Sequence, residues 1–249
     1  MQAMDAENET AEFSDGLLRG VPPLTSYLRR YTDPWKPQMF TPAQLQTNLQ
    51  EALKLMDEFA TGNAPAQKAA RKIALKLQEL RIPYVVAGGL AVAAHGYRRF
   101  TDDVDLLLTK EGLAKFKEHC LGLGWVEKFQ GSKGLKDAEY GVKVDVLTTG
   151  ELPGDGKTCP FGFPNPESLG ENRGGIWNGL PMLPLRDLIE LKLASGQTSV
   201  TRRKDLVDVV ELIKVNLLPK ELGAHLHPFV REKYAELWAE AQVKDPYAE

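Results

Sequence analysis

The amino-acid sequence predicts an α+β fold, with a small mixed β-sheet flanked by helices and a C-terminal helical region. Apolar runs typical of strands alternate with segments whose apolar residues recur at helical spacing. A segment rich in glycine, proline and asparagine, residues 150–179, separates this part from a tail with helical spacing alone. The predicted strands are residues 84–87, 104–108, 125–129 and 138–148.

The helices are predicted from apolar periodicity and from residues that favour a helix start. Thr41 and Pro42 resemble an N-cap and a first-turn proline, and Pro65 and Pro228 suit first turns as well. Pro83 favours an extended start to the first strand. The predicted helices begin near residue 41 and cover residues 65–80, 88–94, 111–121, 185–194, 204–215 and 228–241.

The chain divides into three segments by composition. Residues 1–40 are acidic and proline-containing, which predicts a flexible N-terminal arm. Residues 41–150 contain the predicted sheet and form the core. Residues 151–249 contain the long loop and the C-terminal helical region.

Composition narrows the classes of function. The chain has 249 residues and a net charge of -3, which argues against a protein wrapped around nucleic acid but permits a local basic patch. Cys120 and Cys159 lack the spacing of a disulfide framework or a zinc site, so we expect a reducing, cytoplasmic location. No apolar run has the length of a signal peptide core or a membrane span, so no membrane association is expected.

Two carboxylates lie on the second predicted strand. Asp103 and Asp105 are two residues apart, so they project from the same face at a distance of roughly 7 Å along the strand. Two anions this close favour a divalent cation, and Mg²⁺ suits carboxylate and phosphate oxygens, with Mn²⁺ as the alternative. Taken alone, the pair is also consistent with a solvated strand edge.

Asp145 is the candidate for a third carboxylate. It lies within a predicted strand among apolar neighbours, where an unpaired charge is costly. Gly88 and Gly89 follow the first strand and precede a short helix, where backbone amides can approach a phosphate. A glycine pair alone is more often only a turn, but the carboxylate strand follows it closely.

At this point the sequence resembles a known family. Gly88-Gly89, His95-Gly96, Arg99-x-Thr101-x-Asp103-x-Asp105 and then Asp145 look like the nucleotidyltransferase superfamily related to DNA polymerase beta, in its minimal form. Residues 185–192 and 203–208 resemble the helical part of AbiEii-type toxins of toxin-antitoxin and abortive-infection systems. The resemblance covers roughly residues 80–215, and Gly89 replaces the serine that is frequent in the family.

The resemblance implies the nucleotidyltransferase fold, with residues 41–150 as its core, and an enzyme that moves a nucleoside monophosphate from an NTP to a hydroxyl and releases pyrophosphate. Asp103, Asp105 and Asp145 would be catalytic and would bind the metal ions, and Asp145 would help to deprotonate the acceptor. The acceptor would be RNA, such as tRNA, or a protein, and an antitoxin protein would be a partner. The alternatives are a catalytically silent binding module of the same fold and a transferase acting on a small molecule such as an antibiotic.

Four further residues are candidates for nucleotide binding beside Gly88 and Gly89. Arg99 either contacts phosphate bidentately or pairs with a surface acid. Thr101 either orients the carboxylate strand or is a turn threonine. Lys192 and Lys204 either meet the triphosphate, as the resemblance favours, or are solvated helix residues. The basic run 202–204 either steers an RNA acceptor or is plain surface.

Overall fold

The computed structural model describes residues 42–169 and 175–243, so the predicted N-terminal arm, residues 1–40, lies outside the described residues. Contacts group the chain into two units, Met1–Leu49 and Gln50–Glu249. Every strand within the described ranges belongs to the second unit. Within the two described ranges, we find no helix with the length and apolar character needed to cross a membrane.

The secondary structure follows the predicted alternation of helices and strands. The helices are α1 (Pro42–Ala60), α2 (Pro65–Glu79), α3 (Gly88–Ala94), α4 (Lys110–Cys120), α5 (Pro166–Leu169), α6 (Leu185–Thr198), α7 (Lys204–Asn216) and α8 (Pro228–Ala241). The strands are β1 (Val85–Ala87), β2 (Asp103–Leu108), β3 (Trp125–Glu127), β4 (Leu135–Asp137), β5 (Lys143–Thr148), β6 (Ile176–Trp177) and β7 (Leu180–Pro181). Short 3-10 helices cover Val200–Arg202 and Lys220–His225.

The main sheet has five strands in the order β1-β2-β5-β4-β3. The β2 and β5 strands run parallel, and the other neighbouring pairs run antiparallel. Helices α6, α7 and α8 pack on one another after the sheet. The predicted α+β architecture, a small mixed sheet with flanking helices and a C-terminal helical region, is therefore confirmed.

Alternation along the two central strands separates the core from the open face of the sheet. In β5, Val144 and Val146 are buried, whereas Lys143 is exposed and Asp145 is half-buried. In β2, Val104 and Leu106 are buried, and Asp103 and Asp105 are half-buried. The period-two pattern thus directs the acidic side chains of both strands away from the core.

The structure differs from the sequence prediction at residues 138–148. In place of one bent strand, a turn connects β4 to β5. The carboxylate of Asp137 accepts hydrogen bonds from the backbone N–H groups of Glu139 (3.0 Å) and Tyr140 (2.7 Å). Gly141 has φ +69°, in the left-handed region that glycine tolerates. These local interactions close the turn and end β4 early.

Helix α6 extends four residues beyond its predicted end at residue 194. Ser195 and Gly196, the first two residues beyond that predicted end, are buried. Ser195 donates a hydrogen bond to Asp205, and a side chain on Gly196 would lie 2.6 Å from Leu206. Packing against α7 therefore keeps these residues helical, which their polarity alone does not indicate.

Candidate active site

The strand register brings the three predicted carboxylates to one cleft. Asp105 lies opposite Asp145 in the parallel pairing of β2 with β5, and Asp103 lies two residues earlier on the same face of β2. All three line a cleft between the sheet and helix α6. Residues separated by about 40 positions in sequence thus form one acidic surface.

The glycine turn lies directly against this acidic surface. Gly88 has φ +58°, and a Cβ atom there would lie 1.7 Å from Oδ2 of Asp105. A Cβ atom on Gly89 would lie 2.6 Å from Oγ1 of Thr101. Both positions therefore require glycine, and both glycines line the cleft. Because they lack side chains, Gly88 and Gly89 leave their backbone accessible to a ligand bound beside the carboxylates.

Thr101 positions the first carboxylate. Its hydroxyl is buried and donates a 2.6 Å hydrogen bond to Oδ1 of Asp103. Of the two roles that the sequence left open, the structure shows the contact that an orienting residue makes. This hydrogen bond engages Oδ1 of Asp103 and leaves Oδ2 to accept from another partner.

The carboxyl group of Asp105 has a raised pKa. Burial raises its pKa from 3.8 to about 6, and the negative charges of Asp103 and Asp145 act in the same direction. The positive charges of Lys192 and Arg202 oppose this rise only in part. The sheet side of the cleft therefore has an excess of negative charge, which a bound cation would relieve.

The third carboxylate is engaged by a lysine. The ammonium of Lys128 forms a hydrogen-bonded ion pair with Oδ1 of Asp145. Across the described residues, no three His, Cys, Asp or Glu side chains are arranged to hold a metal ion. The three carboxylates have the donor chemistry that Mg²⁺ or Mn²⁺ prefers, but they do not form a complete metal site in the arrangement in which Asp145 is bound to Lys128.

Two of the predicted nucleotide contacts belong to a buried ion network. Lys192 donates 2.7 Å hydrogen bonds to both Asp205 and Asp208. Arg99 contacts Asp208 bidentately, at 2.6 Å from Nε and 2.9 Å from Nη2. Both cations also line the cleft. Their charges are therefore close to the candidate site, but each cation already binds carboxylates through two of its donors.

The network holds Asp205 in its ionised form. Burial opposes ionisation, but the charge of Lys192 and hydrogen bonds from Lys192 and Ser195 keep the pKa of Asp205 below its ordinary value. Sequence analysis assigned no role to Asp208, although the apolar residues Leu212 and Val215 follow it at i+4 and i+7, on the helix face where a charge needs a partner. The sequence contains no comparable signal for Lys128.

Lys204 provides a different kind of cation. It is exposed, lines the cleft, and forms no ion pair with any residue in the described part of the chain. Arg202 lines the same side and lies 4.0 Å from Asp205. The long loop contributes Pro153, Gly154 and Phe163 to the opposite rim. The cleft therefore has acidic residues on its sheet side and basic residues at the start of α7.

Comparisons with known proteins give only distant similarities. No protein-family model and no curated protein matches the sequence. The solution structure of the antibiotic-resistance factor ANT(2'')-Ia is 18% identical over 68% of this chain and 93% of its own, with a TM-score of 0.46. A crystal structure of ANT(2")-Ia with adenylyl-2"-tobramycin is 15% identical over 68% and 96%, with a TM-score of 0.44.

A third solved structure is an antigenic nucleotidyltransferase-like protein from Paracoccidioides brasiliensis. It is 18% identical over 76% of this chain and 94% of its own, with a TM-score of 0.41. Similarity at this level does not assign an activity to the chain, so a proposal about function depends on the residues of the cleft.

Proposed function

We propose that the chain is a metal-dependent nucleotidyltransferase that moves a nucleoside monophosphate from an NTP to a hydroxyl acceptor. The observation that supports this most strongly is the meeting of Asp103, Asp105 and Asp145 in one cleft, directly against the backbone of Gly88 and Gly89. A cluster of carboxylates in which burial and like charges raise the pKa of Asp105 suits a divalent cation and the phosphates it accompanies.

Each part of the cleft has a role in the proposed reaction. The acceptor oxygen bonds to the α-phosphorus, the bond from that phosphorus to the bridging oxygen breaks, and pyrophosphate leaves. Asp145 accepts the proton of the acceptor hydroxyl, and Thr101 holds Asp103 in place. Mg²⁺ or Mn²⁺ held by the three carboxylates would stabilise negative charge on the entering and leaving oxygens.

The cations of the cleft differ in their proposed roles. Lys204, exposed and unpaired among the described residues, is available to the triphosphate. Arg99 and Lys192 would contact a phosphate either through the N–H groups that do not bind a carboxylate or by exchange of an oxygen of Asp208 for a phosphate oxygen. Without such an exchange, Lys192 still acts through its charge, which lowers the pKa of Asp105.

The proposal extends to the acceptor and to the biological setting. The resemblance of the helical part favours a toxin-like enzyme acting on RNA, such as tRNA, or on a protein, with an antitoxin as partner. The basic residues Arg202 and Lys204 at the cleft are compatible with an anionic acceptor. Transfer to a small molecule such as an antibiotic is the alternative acceptor class.

A second candidate function is a silent module that binds a nucleotide or a partner without turnover. The closed ion pairs favour it, because Asp145 is bound to Lys128, and Arg99 and Lys192 are bound to Asp208. A thermal-shift experiment separates the two candidates, since a ligand stabilises the state that binds it. Stabilisation by NTP that is independent of metal supports the module, and metal-dependent stabilisation supports the enzyme.

Transfer itself tests the proposal directly. The purified chain is incubated with Mg²⁺ or Mn²⁺ and each α-labelled NTP, with tRNA, cell extract or aminoglycosides as acceptors. We expect a labelled product that disappears in Asp105→Asn. Asp102→Asn is the matched control, because Asp102 is an exposed neighbour that does not line the cleft. Equal product from the wild type and Asp105→Asn, or none from either, would contradict the proposal.

A further inference from the structure

One lysine from the outer strands of the sheet pairs with a carboxylate of the cleft. Lys128 directly follows β3, and its ammonium is bound to Oδ1 of Asp145. Within the described part of the chain, neither Asp103 nor Asp105 forms an ion pair. Lys128 is therefore the cation in direct contact with the carboxylate cluster.

The hairpin that joins β3 to β4 is built to let Lys128 reach Asp145. The backbone N–H of Lys128 donates to the carbonyl of Gly134 at 3.1 Å. A Cβ atom on Gly134 would lie 2.9 Å from Cδ of Lys128 and 3.2 Å from Oδ1 of Asp145. The lysine stem thus crosses the space that a side chain at residue 134 would fill.

The pair is not sealed from solvent. The Lys128 side chain is 28% exposed and the Asp145 side chain is 43% exposed. An ion pair in such a setting is weak compared with a buried one, because water and salt screen it. Lys128 therefore compensates the charge of Asp145, but through an ion pair that a more strongly bound cation can replace.

We propose that Lys128 is a built-in competitor for the divalent cation: it takes the place of the metal at Asp145 in the ligand-free chain and is expelled when the cation binds. This inference rests on the proposed function, because it takes the three carboxylates as the metal site. Expulsion completes the ligand set and moves a positive charge away from the metal. Lys128 thus acts as a positioning residue that sets the metal concentration at which the site forms.

Metal binding to the ligand-free full chain tests the inference without any turnover. The free Mn²⁺ signal is followed by electron paramagnetic resonance during a titration of the wild type, Lys128→Gln and Lys136→Gln. Lys136 is the matched control, because it is an exposed lysine on β4 with no ion pair among the described residues. Circular dichroism melts check that each variant is folded.

The expected result is a lower Mn²⁺ dissociation constant for Lys128→Gln, by roughly three- to tenfold, since both the competing pair and a nearby repulsive charge are removed. Lys136→Gln should change the constant by less than about twofold. In an Asp145→Asn background, Lys128→Gln should lose its effect, because the carboxylate for which the lysine competes is gone.

Three results would overturn the inference: unchanged or weaker Mn²⁺ binding in Lys128→Gln, an equal gain in Lys136→Gln, or a gain that persists in Asp145→Asn. These results are distinguishable from failure of the proposed function. If Lys128→Gln binds Mn²⁺ no better while Asp105→Asn still abolishes labelled transfer, the proposed competition by Lys128 is wrong and the proposed transferase activity is supported. If Mn²⁺ binding tightens as expected but no NTP is used, the metal site stands without transfer.

Discussion

Asp105→Asn should make the protein more stable at neutral pH while removing the proposed activity. The folded state raises the pKa of Asp105 from 3.8 to about 6, so it binds a proton more tightly than the unfolded chain does. Between about pH 4 and pH 6 the contribution of Asp105 to the free energy of unfolding of the wild type therefore falls as pH rises. Stability associated with protonated Asp105 is present below pH 4 and lost above pH 6.

The size of this effect follows from the pKa difference. A difference of roughly two at about 1.4 kcal/mol per pKa unit gives an upper limit of about 3 kcal/mol. Asparagine carries no charge, so Asp105→Asn avoids this penalty at every pH. The variant should match the wild type near pH 4 and exceed its free energy of unfolding by up to about 3 kcal/mol near pH 8.

Urea unfolding of the wild type, Asp105→Asn and the exposed control Asp102→Asn measures the effect at a series of pH values. A stability difference that is the same at pH 4 and pH 8, or a less stable Asp105→Asn at pH 8, would refute the reasoning. A gain of equal size in Asp102→Asn would show that net charge rather than the cleft is responsible. Saturating Mn²⁺ should reduce the advantage of the variant, since the cation relieves the same repulsion in the wild type.

Two further predictions concern stability measured by the same unfolding experiment. Gly88→Ala should lower the free energy of unfolding by at least about 2 kcal/mol, because the new Cβ atom clashes with Asp105 and the φ angle is unfavourable for alanine. The control Gly131→Ala, at φ +77° with nothing within 4 Å, should lower it by only about 1 kcal/mol. Equal losses would contradict the close approach of Gly88 to Asp105. Asp208→Asn should lower the free energy of unfolding by about 3 kcal/mol or more, because it breaks buried ion pairs with Arg99 and Lys192. The control Glu211→Gln, on the same helix, should lower it by less than about 0.5 kcal/mol. A loss below about 1 kcal/mol for Asp208→Asn would show that the network does not stabilise the fold.

Local patterns were sufficient to predict most elements of the fold. The helix over residues 228–241 begins and ends where its proline and its apolar spacing indicated. The strand bearing Asp103 and Asp105 was predicted to within one residue. These elements depend on the alternation and spacing of nearby residues, which a sequence displays directly. Where a side chain closes a turn, as Asp137 does before β5, the same patterns gave a wrong boundary.

The candidate site was predictable in part. The sequence singled out three carboxylates and a glycine turn, and the structure places all of them in one cleft. Their catalytic and metal-binding roles stay predictions. Two roles were open for Arg99 and two for Lys192, and the sequence could not distinguish them, because the partner Asp208 is 109 residues from Arg99 and 16 residues from Lys192.

The sequence by itself determined the chemistry that is available: a glycine turn beside a strand, paired carboxylates at period two, and a third carboxylate on another apolar strand. Only the tertiary structure decided which charges meet. The parallel register places Asp105 opposite Asp145, the β3–β4 hairpin carries Lys128 to Asp145, and the packing of α6 on α7 joins Lys192 to Asp208. Ion pairing depends on distances of a few ångströms between side chains, and chain separation does not fix those distances until the strands and helices have packed.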